Sequence, residues 1–453
     1  MTSATAAAPK TDPGETAGAL FQRAQGVLAS GVSASMRLNP YLERPLYVAR
    51  GEGPYLYDLD GKRYLDFNMS NGAALLGHDH PAVKRAVLEG VARGMVAAVE
   101  TPYQERLAAT LVEIIPAAER VRFSSVGSEV TLVALRIARQ ATGRTKYLKF
   151  DGHFHGLTEA WLVKHADPAD PDSPLVPSSG GVPASAAADV VSIPWNDAPA
   201  FERALARHGD ELAAVFCEPI HYNAGCIPAA PGFLELLRRG TTERGIVLVF
   251  DEVLSGFRTH LGGVQAESGV TPDLTTHAKA LANGLPLATV SGRAELMLLL
   301  APSGPVVHSG TYSGHILSVL AALATLEELR QPGVYERLNA TADAFYGELQ
   351  AVFVRAGLPV RVQGRGARFG LYFGRDPELP VTTWADARGH DHELHRRFVV
   401  GCAERGVYVH GYTKQGPPGH AGFSLAHTPE DLAETLTVVE AVGDDLRRQG
   451  ASS

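Results

Sequence analysis

Two hydrophobic periods alternate along this chain. Short apolar runs rich in β-formers predict strands over Val121–Phe123, Thr145–Phe150, Asp189–Trp195, Ala213–Pro219, Ile246–Phe250 and Pro286–Gly292. Between and beside them, apolar positions three and four residues apart predict helices over Pro81–Arg93, Glu105–Ile115, Ser128–Thr142 and Ser318–Arg330. Strands alternating with helices imply an α/β unit with a mostly parallel central sheet covered on both faces. Ahead of it, a helix is expected over Leu20–Leu28, and PYLYDLDGKRYLDF alternates around Asp60-Gly61, a hairpin signal. Behind it, helices over Val334–Ala356, His390–Arg405 and Pro429–Arg448 are interleaved with the strands VRVQG, ARFGLYF and GVYVHGY, the pattern of a smaller α+β unit. The expected division is a disordered tail over 1–18, an N-terminal segment over 19–75 packing with the small domain, a large domain over 76–330 and a C-terminal small domain over 331–453. Asp167–Ala188, rich in Pro, Ala, Ser and Asp, reads as a surface excursion of the large unit.

The stretch from Gly245 to Gly284 carries the most chemistry. The run Ile246–Phe250 reads as a strand buried on both faces, and it ends abruptly in Asp251. An acid at the carboxyl end of such a strand sits where open α/β sheets bind ligands. Downstream, Lys279 lies in HAKALANG among small and apolar neighbours, which makes it a candidate for a depressed pKa and Schiff-base chemistry. A strand-end aspartate followed by an isolated lysine is the pair that a pyridoxal phosphate enzyme requires. The lysine holds the aldehyde, and the aspartate keeps the pyridinium nitrogen protonated. Each residue alone has an ordinary reading: Asp251 as the cap of a turn, Lys279 as a solvent-facing lysine. Within DEVLSGFR, Val253 is suited to pack on a flat ring, and Arg258 adds a nearby cation.

SSVGSEV (124–130) lies between a strand and a helix. A Gly127-Ser128 step there offers free N–H groups and the positive end of a helix dipole to a phosphate; the ordinary alternative is Ser128 as an N-cap. HSGTYSG (308–314) is a second small-residue loop before a helix, where Thr311 is a phosphate donor or simply part of a turn. In FDGHFHG, Phe154 is placed to stack on an aromatic cofactor with His155 behind it, or is a core residue. GRGARFG (364–370) has the wrong spacing for a dinucleotide loop and no helix after it.

Composition narrows the classes. Hydrophobic content of 45% and charged content of 20% are those of an ordinary globular protein, and a net charge of −8 argues against a nucleic-acid role. No apolar run approaches the ~20 residues of a membrane helix, so no membrane span is expected. The first eighteen residues lack the pattern of a secretory signal, and the three cysteines, Cys217, Cys226 and Cys402, show no CxxC spacing, which suits a reducing cytoplasm. The histidine patches His78/His80, His153/His155 and His390/His392/His395 lack the cysteines or carboxylates of a metal site; the last reads as a solvated helix face, and no metal is expected.

Together these segments resemble the class III, fold-type I, pyridoxal phosphate (PLP)-dependent aminotransferases. Within them the chain is similar to the glutamate-1-semialdehyde 2,1-aminomutase-like branch, near the D-phenylglycine and β-phenylalanine aminotransferases. The resemblance runs through GVSASMR, GEGPYLYDLDGKRYLDF, LGHDHP, RFSSVGSEVTLVALRIARQATGR, FDGHFHG, EPIHYNAG, FDEVLSGFR, PDLTTHAKALANGLP and GTYSG to LAHTPEDL. It implies that Lys279 forms the internal aldimine and shuttles a proton, that Asp251 binds the ring nitrogen, and that Val253 and Phe154 cover the two ring faces. It implies that Gly127 and Ser128 hold the phosphate from one subunit and Thr311 from the other, so that an obligate homodimer shares its active sites. Glu218 and Asn223 belong to the cofactor's polar surroundings, and Arg37 matches an arginine that meets a substrate carboxylate in the aminomutase.

The chain departs from the family pattern on the substrate side. The Ser-Gly-Thr phosphate loop is Val126-Gly127-Ser128, the Tyr of YHG is Phe154, and the aromatic of SWG is Asn71. The GNP after the threonine is Gly314-His315-Ile316, and His420 stands near the aminomutase's glutamate. These changes argue against glutamate-1-semialdehyde as substrate. The expected function is transfer of an amino group between small-molecule amino and oxo substrates. The rivals are an intramolecular aminomutase and a catalytically silent scaffold of the same fold.

Overall fold

The computed structural model describes residues 16–450. The tail expected over 1–18 lies outside the described residues as far as residue 15; its last three residues are not tail. Thr16 Oγ1 accepts a hydrogen bond from Ala19 N at 3.2 Å and caps a helix over Ala17–Gln25. A threonine in this position satisfies one of the free N–H groups of the first turn, so the helix starts earlier than its apolar periodicity alone suggests.

A seven-stranded sheet forms the centre of the molecule. Its order is Arg120–Ser124, Ala288–Gly292, Leu274–His277, Val247–Glu252, Leu212–Cys217, Lys146–Phe150 and Val190–Ile193. All neighbours pair in parallel except at Ala288–Gly292, which runs antiparallel to both strands beside it. The mostly parallel α/β sheet expected from the alternating pattern is therefore present. The strands Leu212–Cys217 and Val247–Glu252 are buried at every residue, because helices cover both faces. The strand of the Ile246–Phe250 run extends further than the apolar residues do. Leu274–His277 pairs alongside it, setting Asp251 opposite Thr276 and Glu252 opposite His277. Glu252 is fully buried there, accepting from Val264 N at 2.8 Å and Gln265 Nε2 at 2.9 Å.

The N-terminal hairpin, Tyr55–Asp58 against Arg63–Asp66, joins the C-terminal part of the chain through parallel pairing of Arg63–Asp66 with Val407–Tyr408. Only these two residues of GVYVHGY are strand. GRGARFG is a tight hairpin between Val360–Arg365 and Arg368–Phe373, with Ala421–Gly422 as a third strand. The long helix Val334–Arg355 packs against this sheet, and the helix Pro429–Gly450 packs on Val334–Arg355. The three cysteines are free and buried. Among the described residues no helix is long and apolar enough to cross a membrane.

The His390–His395 patch is not a solvated face. His390 and His395 are both buried; His390 Nε2 bonds Gly416 O at 3.0 Å, and His395 Nδ1 meets Tyr41 Oη at 3.3 Å. Asp391 caps the helix, which starts at His392, so the histidines turn inward beneath the Tyr41 loop. Among the described residues no cluster of His, Cys, Asp or Glu is arranged to hold a metal ion.

Candidate active site

Four parallel strands end on one side of the sheet, and the loops after them carry the candidate residues. Asp251 lies at the end of Val247–Glu252, Glu218 follows Leu212–Cys217, Phe154 and His155 follow Lys146–Phe150, and Lys279 follows Leu274–His277. Gly127 and Ser128 open the helix Gly127–Thr142 behind the strand Arg120–Ser124. All of these, with Asn223 and Val253, line one cavity of about 260 Å³. Backbone groups at strand ends lack ladder partners, so this edge of a parallel sheet is where polar side chains and ligands gather.

Asp251 is fixed at both oxygens. Oδ2 lies 2.7 Å from His155 Nδ1, and Oδ1 accepts from Thr276 Oγ1 at 2.9 Å and from Val253 N at 3.1 Å. The carboxylate is 3% exposed, and His155 behind it is 2% exposed. A rotamer held by three donors is preorganised to meet a cationic ring nitrogen without rearranging. His155 thus supports Asp251.

Lys279 is the first residue of a short 3-10 turn, Lys279–Ala282, and takes φ 45. A left-handed lysine carries backbone strain, which persists only where its surroundings over-determine it. The constraint comes from Asn283, also left-handed at φ 46, whose Oδ1 accepts from Leu76 N at 2.9 Å and whose Nδ2 donates to Gly77 O at 3.0 Å. Burial pushes the Lys279 ammonium well below the ordinary lysine range, and the Arg258 guanidinium adds to this; Glu218 and Asp251 pull the other way. Burial likewise raises Glu218, with the neighbouring Asp251 charge in support.

The helix Gly127–Thr142 presents its N-terminus to the cavity without a side-chain cap. Val126 occupies the N-cap position, so Ser128 is not the cap; its Oγ accepts from Leu157 N at 3.2 Å. Glu129 folds back to Ser125 N at 3.0 Å and Ser124 Oγ at 2.6 Å, which leaves the N–H groups of Gly127 and Ser128 to the cavity. An added Cβ at Gly127 would meet Val253 Cγ1 at 3.1 Å, so the glycine lets the helix start against the residue that would cover a ring. The seat fits a phosphate, and the lysine and aspartate beyond it fit the aldehyde and the ring nitrogen of a pyridine cofactor. Glu218 Oε1 accepts from Phe154 N at 2.7 Å and Oε2 from Asn223 Nδ2 at 2.8 Å, which orders the loop bearing Phe154. Phe154 is 49% exposed, so it is not a core residue.

Three candidates lie apart from this cavity. Thr311 is exposed and does not line it. Arg37 and Asn71 line a wider cleft of about 1120 Å³ next to it, bordered also by Asn68, Gly284 and Tyr412. Asn71 stands in a turn where Met69, Ser70, Asn71 and Gly72 all take positive φ, from 48 to 83. Asn68 Oδ1 accepts from Asn71 N, and Tyr412 Oη donates to Asn71 Oδ1, each at 2.5 Å. Arg258 is buried against the same turn and donates to Gly72 O and Leu254 O. Thr276, Tyr412 and Arg368 were not legible as site residues in the sequence. Thr276 had a usable signal, its place opposite Asp251 on a neighbouring strand; Tyr412 and Arg368 arrive from the far end of the chain.

Known proteins share the family and the fold of this chain. The family model described as Aminotransferase class-III matches residues 39–415. A glutamate-1-semialdehyde 2,1-aminomutase of Rhodopirellula baltica is 38% identical over 444 residues, covering 97% of this chain and 98% of that protein. Among solved structures, an omega-transaminase from Sphaerobacter thermophilus superposes with a TM-score of 0.85 at 31% identity, covering 96% of this chain and 99% of the other. A transaminase with PLP bound gives a TM-score of 0.85 at 28% identity, covering 96% and 98%.

Proposed function

The chain belongs to the class III aminotransferases, and we propose that it moves an amino group between an amino acid and an oxo acid, using pyridoxal phosphate held on Lys279. The observation that carries this reading is the meeting of Lys279 and the three-point-fixed Asp251 in one cavity with an uncapped helix N-terminus. The cofactor, when bound, contributes a carbonyl for the substrate amine and a sink for the electrons of the broken bond.

This chain's residues do the rest. Gly127 and Ser128 direct N–H groups at the phosphate. Val253 and Phe154, which line the cavity, would confine the ring. Asp251, aligned by His155, Thr276 and Val253 N, holds a proton on the ring nitrogen. Lys279 Nζ, kept from ready protonation by burial and Arg258, takes the proton from the amine-bearing carbon of the substrate and returns it elsewhere on the same face. Glu218 and Asn223 keep the Phe154 loop in register. We extend the reading to a homodimer in which Thr311 completes the partner's phosphate seat. In support, Thr311 is exposed, as is the adjacent Tyr312, and the apolar side chains Val126 and Phe154 are exposed at the cavity. Three free, buried cysteines suit a reducing cytoplasm.

Transfer is favoured over an intramolecular aminomutase by the residues that replace the mutase pattern on the substrate side: Asn71, Phe154 and His420. Single-turnover conversion of the bound cofactor to its amino form with a panel of amino acids tests the reading. Lys279→Ala is expected to abolish conversion with fold and dimer intact, and Asp251→Ala to lose at least a hundredfold in kcat (about 3 kcal/mol, as for one preorganised donor). Near wild-type rates in either variant would refute the mechanism. Conversion of glutamate-1-semialdehyde alone, with no second substrate needed, would return the protein to the mutases.

A further inference from the structure

We infer that Arg368 is the anchor for the substrate's carboxylate, and that the substrates are therefore amino and oxo acids rather than simple amines. This rests on the aminotransferase reading and names the substrate class of that site. Arg368 is the first residue of the strand Arg368–Phe373, and its guanidinium is 0% exposed. Nη1 donates to Asn68 O at 3.2 Å, and Nη2 meets His420 Nδ1 and lies 3.2 Å from His420 O. Among the described residues Nε makes no hydrogen bond, and Tyr412 is the side chain beside the guanidinium. Among the described residues no carboxylate pairs with it. Asp66, an acid whose charge it feels, is committed to His78 Nε2 at 2.8 Å, Asn68 N at 2.8 Å and Met69 N at 3.0 Å.

Nε and Nη2 share one edge of the guanidinium, the edge that grips a carboxylate with two parallel bonds. In Arg368 that edge holds one empty donor and one neutral ring. His420 brings no charge of its own, because burial, together with the Arg368 guanidinium, pushes it far below the imidazole range. Arg258 differs on this point: its Nε and Nη2 are both taken by main-chain carbonyls, Leu254 O and Gly72 O. Arg37 is exposed at the cleft. A desolvated guanidinium without a counter-ion is costly, and an arriving carboxylate offsets that cost.

The position suits the task. Asn68, which receives Nη1, borders the wide cleft together with Asn71 and Tyr412. The Tyr412 ring packs 5.3 Å from His420. Arg368 is also close enough to Lys279 for its charge to disfavour the ammonium there. A carboxylate that takes the place of the His420 ring on Nη2 and meets Nε would lie behind the Asn68 wall of the cleft and near Lys279.

The test uses the holoenzyme in wild-type form and as Arg368→Met and Arg368→Lys. The half-reaction is followed with two matched pairs, alanine against isopropylamine and 3-aminobutyrate against 2-aminobutane. In each pair a methyl group replaces the carboxylate. Thermal shift with propionate, against chloride at equal ionic strength, gives a readout that needs no turnover. Methionine replaces a buried charge with an apolar chain of similar reach, a change proteins commonly tolerate; if it does not fold, the lysine variant decides by the same ratio. The ratio of kcat/KM for acid over amine is expected to fall about ten- to a hundredfold in Arg368→Met, through KM, the loss of one charge-assisted pair. Arg368→Lys should recover part of it, and propionate should stabilise the wild type but not Arg368→Met. An unchanged ratio, even with both rates lowered, makes Arg368 a structural tie and overturns the inference, as does a wild type that prefers the amines. If the wild type converts none of the four, the aminotransferase reading is left to the amino-acid panel and propionate alone decides the anchor: a shift lost in Arg368→Met supports it, and no wild-type shift overturns it.

Discussion

Replacing His277 by leucine should make the protein less sensitive to acid by about 2 kcal/mol between pH 7 and pH 5. His277 ends the strand that leads to Lys279; it is 0% exposed, and among the described residues neither ring nitrogen has a partner. Burial pushes its pKa down to about 4, with the Asp251 charge pulling partly back. In the unfolded chain the ordinary value is about 6.5. Between those two values the unfolded state binds more protons, so stability rises with pH through this window and is lost as pH falls from 6.5 towards 4. At pH 5 the unfolded imidazole is roughly 97% protonated and the folded one roughly a tenth, whereas at pH 7 both are largely neutral; the difference integrates to about 2 kcal/mol. Leucine removes this contribution, while its packing cost is the same at every pH. Urea unfolding of both proteins at pH 7, 6 and 5 isolates the effect. The gap between their unfolding free energies should move in the variant's favour by about 2 kcal/mol on acidification. A gap equal at pH 5 and pH 7 would refute the reasoning.

Two further outcomes test the site at its edges. Arg37→Ala should raise KM for amino acids no more than about threefold, because Arg37 is exposed at the cleft and surface ion pairs contribute little; a rise of a hundredfold in steady-state kinetics would make it the main carboxylate ligand. Mixing Thr311→Ala with Lys279→Ala subunits should give hybrid dimers more active than either parent, since one site then has both Lys279 and an intact partner threonine. Activity no higher than the sum of the two parents would remove Thr311 from the shared site.

The alternation of apolar runs and helical periods was enough to read the α/β class, because burial on both faces of a parallel sheet leaves almost no polar residue inside a strand. Asp251 and Lys279 were legible for the same reason in reverse: a charge at the end of an apolar run stands out. Element ends were less legible where polar residues set them. Thr16 started a helix earlier than its apolar residues did, Asp391 turned the His390–His395 patch inward, and Asp251 and Glu252 joined a strand because a neighbour paired with them.

The sequence by itself determined the sheet, the lysine and aspartate at its edge, and the Gly127-Ser128 helix start beside them, because each depends on residues close together in the chain. Only the tertiary structure decided what surrounds them. It brought Thr276 to Asp251, set His155 on that carboxylate, and buried Arg368 with an unfilled edge against His420. Those contacts join segments far apart in the chain, and neither periodicity nor local propensity encodes the distance between two side chains that meet only when the hydrophobic cores close.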